Sequence, residues 1–475
     1  MIIKKGMDPM LFQCTKINCQ KSRAANGGVA RRPRHVKNAL WAVMFPLLLS
    51  GCGDMWLGGD GGPKLPGERI SVMVLEESLK NQASENAAAD VQVSPPEGNS
   101  DWPQFGGYSN HAMHHMQLEK FDTQIWRADI GYGNDQRSPL LAAPVMADGR
   151  VYVMDSEAEV RAIDAETGDI VWTLDLPDLL GEDGEMMSGG MAFNSGLLVA
   201  TTSMNTVVAI RADTGQVFWQ KAIASPMRAA PTIYGGRVFV VTKENIVYAL
   251  DLRNGEQLWK YSAVGNLTSL LGAGVPAADS GVVVVPMTTG DLVALRANTG
   301  DELWQDKLAN VRRTDATGNL LDVLASPLID RNRVYSVGYS GLMAAHDLRS
   351  GQRLWVAEVG SIRTPWIAGN TLFTVTIHNE VVALDKRTGR ILWVSPLPKW
   401  ENPEDLTDPI AWTPPILASN RLLIAGTNEE LQVLDPYTGE VLTIEDLPDG
   451  VHLPLFIANN TLFIQTDDGE LRAYR

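Results

Sequence analysis

Apolar and polar residues alternate in short runs along most of this chain, and the runs recur in a fixed phrase. Its clearest copy is Ala383-Leu384-Asp385-Lys386-Arg387-Thr388-Gly389-Arg390-Ile391-Leu392-Trp393. Val381 to Asp385 alternates as a half-buried strand does, and so does Arg390 to Trp393. Between them, an Asp can bond the backbone amides ahead of it and a Gly can take the positive φ of a hairpin bulge. The phrase predicts strand, tight turn, strand.

Further copies run from Ala162 to Trp172, Ala209 to Trp219, Ala249 to Trp259, Ala294 to Trp304 and Ala345 to Trp355. One more, Val433 to Thr443, keeps Asp435 and Thr438-Gly439 but has Thr443 in the Trp slot. Two short β runs precede each copy; in the first they are Ala143 to Met146 and Arg150 to Met154, split by Asp148-Gly149. Four antiparallel strands per unit of about 45 residues is the pattern of a propeller blade. The Trp then belongs on the outermost strand, filling the wedge between neighbouring blades.

The sequence ends on Glu470 to Arg475, a strand of the kind that precedes the turn, with no outer strand after it. Gln124-Ile125-Trp126-Arg127-Ala128 stands one period before Trp172 and has no inner strands of its own. It is expected to complete the last blade. The prediction is therefore all-β: an eight-bladed β-propeller with four-stranded antiparallel blades over 101–475, its ring closed by an N-terminal strand. This overrides the several domains that a 475-residue length suggests, because blades bury their faces only against each other.

The N-terminus reads differently. Arg31 to Lys37 is basic, Ala39 to Leu49 is apolar, and Leu49-Ser50-Gly51-Cys52 ends the run. Residues 1–51 are expected to be a secretory signal peptide, with Val29 as an alternative initiator. The boundary resembles the lipobox of bacterial lipoproteins. That resemblance implies lipidation of the Cys52 thiol with palmitate-type acyl chains, cleavage before Cys52 and acylation of the new amine. Gly53, not Asp, follows, which by resemblance to enterobacterial sorting rules favours the outer membrane. Residues 52–100, rich in Gly, Pro, Ser, Asn and Ala, read as a flexible lipid tether. Within them, Arg69 to Leu75 is apolar enough to dock as an extended segment.

Cys14, Cys19 and Cys52 are the three cysteines, so the predicted propeller has neither disulfides nor thiolate metal sites. A net charge of −16 gives no positive field for phosphates, which argues against nucleic acid as a partner. His111-Ala112-Met113-His114-His115 brings three imidazoles together without an acidic or thiol companion, so no metal site is expected there. Glu182, Asp183 and Glu185 read as a solvated loop. Neither a Gly-x-Ser-x-Gly elbow nor a phosphate loop occurs. No catalytic residue and no cofactor are expected.

Asp101-Trp102-Pro103-Gln104-Phe105-Gly106-Gly107, with the Trp repeats, resembles the propeller of the quinoprotein dehydrogenases. That family uses pyrroloquinoline quinone and calcium, and stacks the quinone against two adjacent cysteines. Here the propeller has no cysteine and no clear Glu-Asn-Asp calcium set, so a dehydrogenase stands only as an alternative.

The lipobox, the polar tether and eight repeats together resemble the BamB family, propeller lipoproteins of the outer-membrane β-barrel assembly complex. The resemblance covers residues 40–475 apart from the tether. It implies a non-enzymatic scaffold, lipid-anchored in the outer membrane and facing the periplasm. Its partners would be the POTRA domains of the barrel-inserting subunit, other lipoproteins of the complex and unfolded outer-membrane proteins. The family's Leu-x-Leu-Arg-Gly loop falls on Thr268-Ser269-Leu270-Leu271-Gly272, with Leu271 in place of Arg. Its Asp-x-Asp loop falls on Asp322-Val323-Leu324, with Leu324 in place of the second Asp. Leu270, Leu271 and Asp322 are the implied partner-binding residues; packing of the two leucines between blades is the structural alternative. An envelope scaffold serving another partner is the remaining functional one.

Overall fold

The computed structural model describes residues 79, 83, 90–135, 137–181, 187–227, 229–263, 274–308 and 325–475. Each copy of the phrase forms the two outer strands of a four-stranded antiparallel blade. Blades 1 to 7 span 145–175, 188–222, 232–262, 277–307, 328–357, 366–396 and 416–446. Blade 8 takes its three inner strands from 456–474 and its outer strand from Gln124–Asp129. That strand pairs with Glu470–Tyr474, placing Trp126 opposite Ala473. The ring closes where the Trp spacing predicts. A separate hairpin, Trp400–Asn402 with Thr407–Pro409, is inserted between blades 6 and 7. No helix among the described residues is long and apolar enough to cross a membrane.

The repeated residues explain themselves in this frame. The phrase's Ala is the cross-strand partner of its Trp, as in Ala383 opposite Trp393, because only a small side chain leaves room for the ring. One-residue bulges follow this pair in each blade and turn the indole toward the next blade. There the indole N–H donates to a carbonyl one or two residues past that blade's third strand: Trp172 to Ala212 at 3.0 Å, Trp304 to Leu348 at 2.9 Å and Trp393 to Pro436 at 2.9 Å. Its face lies on the turn glycine. Gly389 has φ +74°, and a Cβ there would sit 2.5 Å from Cε3 of Trp355. The Asp fixes the turn: Asp164 Oδ1 accepts from the amides of Glu166 and Thr167 at 2.9 and 3.0 Å.

Seven interfaces carry this Trp–carbonyl–Gly contact, from Trp126 of blade 8 seated against blade 1 to Trp393 of blade 6 seated against blade 7. Between blades 7 and 8 it is missing. Thr443 pairs with Val433 in the register that holds Trp against Ala elsewhere.

Residues 99–119 form a strap that touches the blades in order. Trp102 exchanges backbone bonds with Met146 of blade 1, and the Phe193 amide of blade 2 donates to Pro103. The Gln104 amide bonds both backbone groups of Ile233 in blade 3 at 3.0 and 2.8 Å. Amides of Ala278 and Ile329, in blades 4 and 5, donate to Ser109 and Asn110. Trp366 of blade 6 donates to the His114 carbonyl at 2.7 Å, and Met116 bonds Leu417 of blade 7. The Glu119 amide reaches Asn460 of blade 8 at 2.7 Å. These contacts satisfy groups on the innermost strands that the sheets leave unpaired. Trp102 also stacks on Trp366, with centroids 6.3 Å apart. Part of the segment expected to be tether is likewise held: Asn370 bonds Gln92, Asp90 pairs with Arg390, and Asn99 bonds the Ile457 carbonyl.

Candidate functional site

A propeller exposes two sets of loops. The strap and the Asp–Gly turns occupy one face; the connections from each outer strand to the next blade occupy the other. The segments carrying Leu270, Leu271 and Asp322 are two such connections, and these residues lie outside the described ones, as does Cys52.

The described anchors belong to consecutive blades. Residues 264–273 leave blade 3 after Ala263 and rejoin at Gly274, before blade 4. Residues 309–324 leave blade 4 after Leu308 and rejoin at Ala325, before blade 5. The returning anchors are tied together, since the Val275 amide donates to Ser326 Oγ at 2.9 Å. Ser340 Oγ donates to the Leu308 carbonyl at 3.1 Å, and Thr232 Oγ1 to the Pro276 carbonyl at 2.5 Å. Both loops therefore spring from rigid, hydrogen-bonded bases on one side of the ring.

The next connection, 358–365, is fully described. It exposes Ile362 at 38% and carries the half-buried Arg363, whose guanidinium burial pushes down to about 10. The Arg363 amide is held by Ser361 Oγ at 2.8 Å. An exposed apolar residue next to a partly exposed arginine is a pairing met in interfaces, where arginine is enriched. The sequence reading did not single out either residue. Their signal is positional: they occupy the connection that follows the two already singled out.

The three imidazoles of residues 111–115 have separate tasks. His111 Nδ1 bonds the Pro327 carbonyl at 2.8 Å, and burial drives its pKa down to about 4 against that bond. His115 bonds Ser94 through Nδ1 and the Asn420 amide through Nε2. His114 lies 3.9 Å from Asp330 and is lowered chiefly by burial. They serve the strap and do not converge. Among the described residues no group of three or more His, Cys, Asp or Glu is arranged to hold a metal ion.

Comparison with known proteins agrees with this architecture. The family model described as outer membrane protein assembly factor BamB matches residues 120–179 and 178–395. The BamB of Yersinia pestis is 30% identical over 245 residues, covering 50% of this chain and 62% of the relative. The chain matches between 51% and 64% of the length of its curated relatives of this name. The crystal structure of BamB from Moraxella catarrhalis superposes with a TM-score of 0.63 at 20% identity, covering 74% of this chain and 99% of that one. A quinohemoprotein alcohol dehydrogenase from Pseudomonas putida superposes with 0.62 at 12% identity, covering 80% of each. At such identities the two superpositions establish the shared propeller and nothing of its chemistry.

Proposed function

The chain belongs to the BamB family of outer membrane protein assembly factors, and from that premise we propose that it is a non-enzymatic scaffold for assembly of outer-membrane β-barrel proteins. In this reading Cys52 carries the lipid, the propeller faces the periplasm, and the connections after blades 3 and 4 bind POTRA domains of the barrel-inserting subunit. The observation that carries it is the family match over blades 1 to 6. The pair of loop bases braced through Val275 and Ser326 supports the choice of surface.

Leu270 and Leu271 supply apolar contact and Asp322 a polar rim, the layout in which a few residues carry most of an interface's affinity. Ile362 and Arg363 extend the same face. The dehydrogenase alternative has the fold in its favour and no cysteine pair to meet a quinone.

The test is affinity purification of the full chain from solubilised outer membranes. Recovery of the barrel-inserting subunit supports the scaffold. Recovery of bound quinone with dye-linked alcohol oxidation replaces it with the enzyme.

A further inference from the structure

Seven blade interfaces seat an indole; larger clefts open among the turns of blades 1–3 and 3–5, but the cleft between blades 7 and 8, about 490 Å³, lies where the indole is missing. Its cause is the ring closure itself. In blade 8 the third and fourth strands are Glu470–Tyr474 and Gln124–Asp129, opposite ends of the propeller, so no turn joins them. Without that turn, there is no glycine to lie beneath a ring from blade 7. The register pair has changed from Ala–Trp to Val433–Thr443, and the added methyls of Val replace only a small part of an indole.

The cleft is lined by Val433, Leu442, Thr443, Leu462, Ile464 and Tyr474, with Phe121 at one side. Arg421 is already engaged: its guanidinium lies 4.9 Å from the Phe121 ring centroid and donates to the Leu118 and Glu119 carbonyls. Arg421 keeps its charge in these contacts, so Asp122, Glu445 and Asp446 at the cleft stand against both Lys120 and Arg421. The adjoining strand, Val441–Asp446, has no buried residue, and Leu442 and Ile444 are 50% and 52% exposed. It forms the edge of its sheet, so its outward backbone groups are unpaired within the blade.

We propose that this cleft docks an aromatic side chain carried on an extended segment of an unfolded β-barrel client, an inference that rests on the assembly reading above. The occupant is set by the molecule's own template, since an aromatic ring fills the equivalent space at every other interface. With three carboxylates against two cations, the rim disfavours an acidic residue beside the ring. Barrel strands supply a ring on an extended segment, with period-two alternation and aromatic residues at the membrane interfaces. Backbone pairing with the edge strand adds affinity without sequence demands.

The test uses the purified full chain and a fluorescent twelve-residue peptide of alternating Thr and Val, with one Trp and a Lys two positions on either side. Anisotropy should report binding that weakens about tenfold or more when the peptide Trp is replaced by Ala, the scale of a lost aromatic anchor. The double substitution Val433→Ala/Thr443→Trp rebuilds the pair used elsewhere and fills the cleft from within. It should weaken the peptide by the same factor at an unchanged or higher Tm. Should that variant fail to fold, Leu442→Glu at the exposed mouth provides the same comparison with the fold intact. Equal binding of the Trp and Ala peptides, or undiminished binding to the folded variants, overturns the proposal. No partner subunit is present in this assay, so its failure leaves the scaffold reading intact. Absence of the barrel-inserting subunit from purified complexes would remove that reading while leaving the peptide result unchanged.

Discussion

At the scale of single residues, the turn glycines and the strap histidine make separable demands. Gly389 and Gly149 share nearly the same φ, +74° and +75°, yet a Cβ on Gly389 would strike the Trp355 ring while one on Gly149 meets nothing within 4 Å. Gly149→Ala should cost about 1 kcal/mol, the strain of the left-handed conformation alone. Gly389→Ala should cost roughly 2–4 kcal/mol, because overpacking adds to that strain. Urea midpoints of the two variants isolate the indole contact; equal losses would show that the Trp is not seated on the turn. His111 predicts a pH dependence. The folded protein holds it neutral down to about pH 4, whereas the unfolded chain takes the proton near 6.5. Unfolding is therefore favoured as pH falls from 6.5 to 4, with on the order of 3 kcal/mol lost across the full shift. His111→Gln retains an N–H for the Pro327 carbonyl and should flatten most of that slope in Tm measured between pH 7 and 4.5. Below this range the loss passes to Asp306. Burial raises its pKa, but bonds from His346 and Arg353 outweigh this and hold it at about 2. Stability from that carboxylate is present above its ordinary value of 3.8 and falls away toward pH 2.

At the scale of elements, the closing strand and the strap hold the ring in different ways. Gln124–Asp129 supplies a whole outer strand, and Trp126 seats on Gly168 and the Ala165 carbonyl of blade 1. Trp126→Ala should cost about 3–5 kcal/mol in chemical denaturation, as a buried aromatic truncated to Ala does. Deleting 121–130 should leave Glu470–Tyr474 as a bare edge, seen as a lower, less cooperative melt and as aggregation. A deletion variant with the wild-type melting curve would mean closure lies elsewhere. This strand was legible in the sequence because Trp126 keeps the repeat spacing. The strap was not. Its bonds run through backbone groups and through Gln104, His111 and Asn110, with no period for a pattern to reveal, so its motif read as a likeness to quinoprotein enzymes. The hairpin Trp400–Asn402 with Thr407–Pro409 was hidden for the same reason, being an insertion outside the repeat. Thr443 was visible as a lost Trp, but its consequence depends on which turn is missing across the interface. That is a fact of three-dimensional closure.

At the scale of the whole molecule, the two faces of the ring differ. The strap consumes the inner-strand groups on the turn face, while connections from consecutive blades rise from braced bases on the other. Under the proposed scaffold role, the function of the ring is the relative placement of partners. The lipid proposed on Cys52 would set where that placement occurs. Cys52→Ala should leave the protein unprocessed or released from membranes, read by fractionation, and normal outer-membrane fractionation of that variant would remove the anchor from the account. The proposed partner face is tested by binding of purified POTRA domains to Leu270→Asp/Leu271→Asp, with thermal melting of the same sample. If these leucines bind the partner, affinity should fall by a few kcal/mol, the size of hot-spot losses, at an unchanged Tm. Wild-type affinity at an unchanged Tm would contradict it, and a Tm lowered by several degrees would show that the two leucines are core.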